Sequence, residues 1–334
     1  MPRPLAQRRL LYDSKRLSEI RFVTGHDFYR AENQGVLTPT ELHFRSDTRR
    51  RNSPLQAPSF IRQWHLSSLD APTVALTWCV AFAWTVNVRL PWWVLILLSM
   101  GVWAVYVADR LLDARGSMRR LKLEQLHERH FFHWHHRRIL APIAVFCALA
   151  ATWIVFELMP RATREHDSLL AAASVLYFTR VHTGRRILPL LSKESLVGIL
   201  FTLGCALPAF TRAHFSPETP VSTLLITVAL FALLAWLNCY AIYRWEAHGA
   251  PTPGIPISLL ALLLAAASLI CAVLLAASHP RSAILLACGA MAALLLAALD
   301  RVRAQLTPVT LRAAADLALL TPALLLVLAP LLRK

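Results

Sequence analysis

The chain is poor in charge, and above all in acids. Only 16% of its 334 residues are charged, against roughly 25% in an ordinary soluble domain. That scarcity excludes a water-facing surface along most of the length. Cysteine is sparse and scattered: Cys79, Cys147, Cys205, Cys239, Cys271 and Cys288 each stand alone in an apolar stretch. Their spacing excludes a cysteine metal knuckle and offers no disulfide framework, so they read as small buried apolar side chains. The opening MPRPLAQRRLLYDSKR has a basic start but no apolar run behind it, so no signal peptide is expected. No internal repeat is evident. The 35 Lys and Arg outnumber 19 Asp and Glu, for a net charge of +16. In a soluble protein this excess would suggest nucleic acid. Here the basic residues gather in the N-terminal segment and in loops, where membrane orientation accounts for them, and no nucleic-acid partner is expected.

What the chain does have is apolar length. Hydrophobic residues make up 56% of it, and the mean hydropathy is +0.49. Residues 1–69 differ from the rest: they carry twelve Lys/Arg and six Asp/Glu, with turn signals at Asn33-Gln-Gly35 and Asn52-Ser-Pro54. This segment reads as a basic, poorly structured cytoplasmic extension. A transmembrane domain is expected over residues 70–332. Its apolar segments run at 70–88, 92–113, 139–158, 167–182, 194–211, 220–243, 256–278, 282–299 and 311–331. Each approaches the roughly 20 residues that cross a bilayer as a helix. The expected fold is therefore an all-α polytopic bundle of nine transmembrane helices. The loop 114–138 holds seven Lys/Arg against two acids, and the loops 183–193 and 300–310 are also basic. These alternate loops fall on one side with the N-terminus. The rule for basic loops then puts the N-terminus inside and the C-terminus outside, in the plasma membrane of a prokaryote.

Five constellations bear on chemistry. Asp109 and Asp113 are four residues apart in Tyr106-Val-Ala-Asp109-Arg110-Leu-Leu-Asp113, which places both carboxylates on one helix face. Two acids there repel each other unless a cation or basic partner is near; Mg²⁺ takes such oxygen ligands together with substrate phosphates. The plainer reading pairs Asp113 with Arg110 or Arg115 at a helix end. The basic stretch Arg115–Arg138 follows, suited to a diphosphate or simply to topology, and its Leu121, Leu123 and Leu126 suggest an interfacial helix. His127, His130, His133, His135 and His136 form one cluster; a membrane di-iron oxygenase would need several. Ser192-Lys193-Glu194 sets a lysine at a helix start, as a phosphate contact or a membrane anchor. Asn238, Tyr240, Arg244 and Glu246 close the sixth segment, with Glu246 placed to complete a second cation site and the aromatic residues suited to an interfacial belt.

Asp109-Arg110-Leu-Leu-Asp113 followed by Arg119 and Arg120, with Tyr177 ahead of a basic loop and then Lys193 and Gly198, resembles the UbiA superfamily of intramembrane prenyltransferases over about residues 66–332. The resemblance implies nine helices with acidic motifs at the ends of the second and sixth. It implies transfer of a prenyl chain from a polyprenyl diphosphate to a hydrophobic or aromatic acceptor, with diphosphate release and Mg²⁺ as cofactor. Asp109 and Asp113 would hold the metal and diphosphate, with Glu246 as a further metal ligand. Arg110, Arg119 and Lys193 would contact the diphosphate, and Asn238 would belong to the second motif. Val105 and Tyr106 stand where the family carries Asn and Asp, and the second motif is less acidic than the family's. A lipid-binding or transport protein on the same scaffold is the alternative.

Overall fold

The computed structural model describes residues 55–119, 128–183, 192–215, 220–246 and 254–328. These form an all-α bundle with twelve α-helices: α1 Ser59–Leu66, α2 Asp70–Thr85, α3 Trp92–Arg119, α4 Glu128–His135, α5 Arg137–Glu157, α6 Arg161–Thr183, α7 Lys193–Phe210, α8 Val221–Glu246, α9 Ile257–Leu275, α10 Pro280–Val302, α11 Pro308–Ala318 and α12 Thr321–Leu328. Residues 1–54 lie outside the described residues. Helix α1 falls on the N-terminal side of the boundary expected at residue 69, and its His65 and Leu66 are buried.

Each of the nine apolar segments is helical, yet the described residues contain six helices long and apolar enough to span a membrane, or up to seven. These six are α3, α5, α7, α8, α9 and α10. The expectation of nine fails for three separate reasons. Helix α2 has only 16 residues, about 24 Å at 1.5 Å per residue; it qualifies only together with α1, across an 85° bend. Helix α6 is long, at 23 residues, but its first turns carry Arg161, Arg164, Glu165 and Asp167. Among the described residues the ninth segment is broken between Pro308–Ala318 and Thr321–Leu328. Pro322 explains the break, since it has no N–H to donate back to Ala318. At the break the Leu319 carbonyl accepts from the Trp78 indole N–H at 2.8 Å.

Helix α2 is the hub although it is short. It packs against α3, α7, α8, α10, α11 and α12, and eleven of its 16 residues are buried. Trp78 stacks on Phe231 of α8 at 3.9 Å between ring centroids, and Phe82 meets the same ring edge-on at 5.6 Å. Gly198 lets α7 press onto α8: a Cβ there would stand 2.9 Å from the Trp236 backbone nitrogen. Helices α9 and α10 form a second tight pair through small residues, Ala261, Ala265, Ala290, Ala293 and Ala297, as close membrane helix contact requires. By contrast, α5 touches only its neighbours α3 and α4 closely, and it exposes Ile143, Phe146, Leu149, Trp153 and Phe156. Such a face suits lipid.

The elbow between α1 and α2 carries the site described next. Ser68 there adopts φ 61°, a left-handed conformation that a non-glycine residue holds only when its surroundings fix it. Ser68 is fully buried. The Trp103 indole N–H of α3 donates to the Ser67 carbonyl at 3.0 Å, which pins the elbow from the side.

Candidate metal centre at the α1–α2 elbow

His65 ends α1 and Asp70 starts α2, so the 85° elbow turns two nearby residues toward each other. His65 Nδ1 and Asp70 Oδ2 are 2.6 Å apart, and both side chains are 2% exposed. Asp316 reaches the same point from α11, with its Oδ2 3.5 Å from His65 Nδ1. Donor atoms of the three side chains lie within 4.8 Å of one another, and they are the one group of three His, Cys, Asp or Glu donors so arranged among the described residues. Arg110 of α3 closes the group: one guanidinium nitrogen is 3.7 Å from Asp70, and the other donates to the His65 carbonyl at 3.1 Å.

The fit to a cation rests on one further atom. Asn238 of α8 donates its amide N–H to Asp316 Oδ1 at 3.2 Å. The other end of that amide, Oδ1, is buried without a hydrogen-bond partner. A buried acceptor left unsatisfied loses about 1–3 kcal/mol, and a cation beside Asp316 would relieve that loss. One imidazole nitrogen and two carboxylates thus come together from three helices, with the Asn238 amide against Asp316. Two ligands at 2.0–2.1 Å from a tetrahedral cation stand roughly 3.3 Å apart, close to the His65–Asp316 spacing. The His65–Asp70 pair is at hydrogen-bond distance, closed around a proton that a metal would displace. The site is thus able to chelate a divalent cation. Mixed nitrogen and oxygen donors of this kind suit Mn²⁺, Fe²⁺ or Zn²⁺ as readily as Mg²⁺.

Helix α4 lies over this end of the bundle. The buried His133 donates through Nδ1–H to the Arg129 carbonyl at 2.8 Å, which leaves Nε2 to accept from the Ser68 hydroxyl at 3.0 Å. That pattern requires the neutral ring. Burial pushes the His133 pKa down to about 4, and the nearby Arg110 and Arg129 guanidinium groups act in the same direction. Arg129 pairs with Glu246 at 3.0 Å, and Arg312 of α11 meets the same carboxylate at 3.1 Å. Arg62 and Glu128 tie α1 to α4 by an ion pair.

The sequence-predicted residues distribute around this centre. Asp109 and Asp113 do share α3, near Tyr177 of α6 and Glu194 of α7; Asp113 is also near Arg129. Arg110 turns the other way, into the His65–Asp70 pair. Asn238 touches Asp316, and Glu246 is held between two arginines. Lys193 is exposed at the first turn of α7, which Ser192 caps by accepting from the Ser195 N–H at 3.2 Å. The Arg119 side chain, Arg120 and His127 lie outside the described residues. Tyr106 is near Asp70 and Asp316. In the histidine cluster, His130 and His133 are buried, and the rings of His135 and His136 meet edge to face at 4.9 Å.

Sequence reasoning missed His65, Asp70 and Asp316. His65 fell in the presumed extension, and Asp70 looked like the edge of an apolar segment. The signal that could have found the site is Asp316, an acid inside the apolar run Ala313–Leu320. Such a residue in a membrane segment is a functional candidate by default. In comparisons with protein-family models, with curated proteins and with solved structures, this chain matches none.

Proposed function

We propose that the chain is a divalent-cation-dependent membrane enzyme. As the finer reading, it transfers a prenyl chain from a polyprenyl diphosphate to a hydrophobic or aromatic acceptor. The single observation that carries the metal dependence is the buried His65–Asp70–Asp316 group with the orphaned Asn238 oxygen beside it. The prenyl reading draws on the resemblance at Asp109, Arg110 and Asp113, and it is supported by where these residues lie. Asp109 and Asp113 are near Tyr177 and Glu194, at the same end of the bundle as the elbow.

In this reading His65, Asp70, Asp316 and Asn238 hold the cation, which supplies positive charge toward phosphate oxygens as the diphosphate departs. Asp109 and Asp113 are the further carboxylates for a second Mg²⁺ on the substrate's diphosphate. Glu246 is the remaining carboxylate proposed for the metal, after release from its arginine partners. Lys193 and Arg119 offer donors to the diphosphate from the helix ends. Arg110 keeps Asp70 and the His65 carbonyl in place and contributes charge from the buried side. Charge fixed where the leaving group becomes negative lowers the barrier.

The test is diphosphate release by the purified full-length chain from farnesyl, geranylgeranyl and longer prenyl diphosphates, with Mg²⁺ or Mn²⁺. Asp109→Asn and Asp113→Asn should each lower release by about 100-fold or more, since aligned charge of this kind is worth roughly 10²–10³ in rate. Equal release from both variants and the unaltered chain would sink the prenyl reading. A second reading follows from charge: two aspartates, Arg110 and a protonated His65 sum to zero. On that reading the cluster is a structural ion network, and Asp70→Asn would lower stability with no metal dependence in any assay.

A further inference from the structure

The opposite end of the bundle holds a second polar feature that the proposed reaction does not use. Helix α2 ends at Thr85, about 24 Å from Asp70 along a helix of this length. Beyond it, residues 86–91 turn tightly into α3. Asn87 takes φ 58°, a conformation asparagine tolerates better than most residues. Its N–H donates to the Trp84 carbonyl at 3.2 Å, and the Val88 N–H to the Ala83 carbonyl at 2.8 Å. Arg281, at the start of α10, donates to the Trp84 carbonyl at 3.3 Å and to Asn87 Oδ1 at 3.0 Å. The turn is therefore fixed from two sides.

Between this turn and the end of α7 is an open cavity of about 500 Å³, within the roughly 300–1,000 Å³ usual for ligand sites. Asn87, Arg89, Arg212 and His214 line it, with no acid among the described lining residues. Arg212 is held in place: it donates to the Pro208 carbonyl at 3.3 Å and to the Thr211 hydroxyl at 3.1 Å, and it lies 5.3 Å over the Trp93 ring. Asp167 of α6 is the acid near Arg212, and it offsets one of the two lining guanidinium charges. Two indoles back these arginines: Trp93 lies against Arg212, and Trp84 lies 5.7 Å from the Arg281 guanidinium; tryptophan favours the boundary between lipid tails and headgroups. Arg89, Arg212 and Arg281 lie at the end opposite the strongly basic loops. Topology does not account for them.

The geometry points to a phosphate site here, occupied by the headgroup of an anionic phospholipid in the leaflet opposite the metal centre. Arginine recognises phosphate oxygens through its planar fork of donors. The indoles of Trp84 and Trp93 beside Arg281 and Arg212 fit a molecule that enters from the membrane boundary. A free phosphate ion has the same chemistry without the acyl chains, so the experiment separates the two.

The full-length chain in detergent is titrated, by native mass spectrometry, with phosphatidylglycerol, with a phosphate-free glucosyl diacylglycerol and with inorganic phosphate. Phosphatidylglycerol should be retained at least about fivefold more than either of the others, a modest preference for a charge-assisted pair. Arg89→Gln, at an exposed loop position, and the pair Arg89→Gln/Arg212→Gln should remove that preference while the helical circular dichroism is unchanged. Equal retention of both lipids, or a preference that survives in Arg89→Gln and in the pair, overturns the site. Inorganic phosphate retained as strongly as phosphatidylglycerol overturns the lipid as occupant.

Discussion

At the scale of single residues, burial decides which groups matter. His133 is enclosed between the Arg129 carbonyl and the Ser68 hydroxyl, and its pKa is pushed down to about 4 by burial. An unfolded histidine titrates near 6.5. The folded state therefore holds fewer protons between those values, and stability falls as pH drops. The contribution is whole above about pH 6.5 and is lost as pH falls from there toward 4, at up to about 1.4 kcal/mol per pH unit. Thermal unfolding of the unaltered chain and of His133→Asn at pH 7.5 and pH 5 measures it. The variant should lose clearly less stability on acidification, and an equal loss in both would show that other groups set the acid response. The same scale explains what the sequence concealed. Asp109 and Asp113 were visible because their four-residue spacing has meaning on one helix. His65, Asp70 and Asp316 come together only through an elbow at Ser68 and the packing of α11 beside α1, and no local pattern encodes either.

At the scale of helices, apolar length was legible but continuity was not. The nine apolar segments are all helical because hydropathy and helix propensity agree over them. Their capacity to span depends on details: the shortness of α2, the charged first turns of α6 and the Pro322 break. Helix α2 shows why the count matters less than the contacts, since a helix too short to cross alone is the one most enclosed by others. A close backbone approach between helices is at Gly198. Gly198→Ala would press a methyl group onto the Trp236 backbone, which cannot move as a flexible side chain would. The expected loss is about 1–3 kcal/mol, read as a lower unfolding midpoint in detergent. Gly204→Ala is the control, because a Cβ there meets only the Leu98 side chain at 3.9 Å; it should be near neutral. A similar loss from both would remove the α7–α8 contact as the cause.

At the scale of the whole molecule, the bundle has two unlike ends. One gathers His65, Asp70, Arg110, Asp316 and the Glu246–arginine triad; the other carries Arg89, Arg212 and Arg281, with Trp93 and Trp84 against the last two. The helix count and the orientation meet in one expectation. If α1 and α2 together make one broken span, the spans number seven, and the termini fall on opposite sides. The basic N-terminal segment then stays inside and the C-terminus emerges outside, as the loop charges suggest. A reporter active only outside the cytoplasm, fused after Lys334, should be active; one active only inside should be silent. The reverse result would contradict this orientation.

The central claim is that the elbow binds a divalent cation. It is tested most directly by metal content: full-length protein purified without chelator, exchanged into metal-free detergent buffer and measured by elemental mass spectrometry. The account predicts about one divalent ion per chain, as a four-donor centre implies, and near-complete loss of it in Asp70→Asn and Asp316→Asn variants that still elute as folded protein. Less than a tenth of an ion per chain in the unaltered protein, with none taken up when Mg²⁺, Mn²⁺, Fe²⁺ or Zn²⁺ is added back, would contradict it.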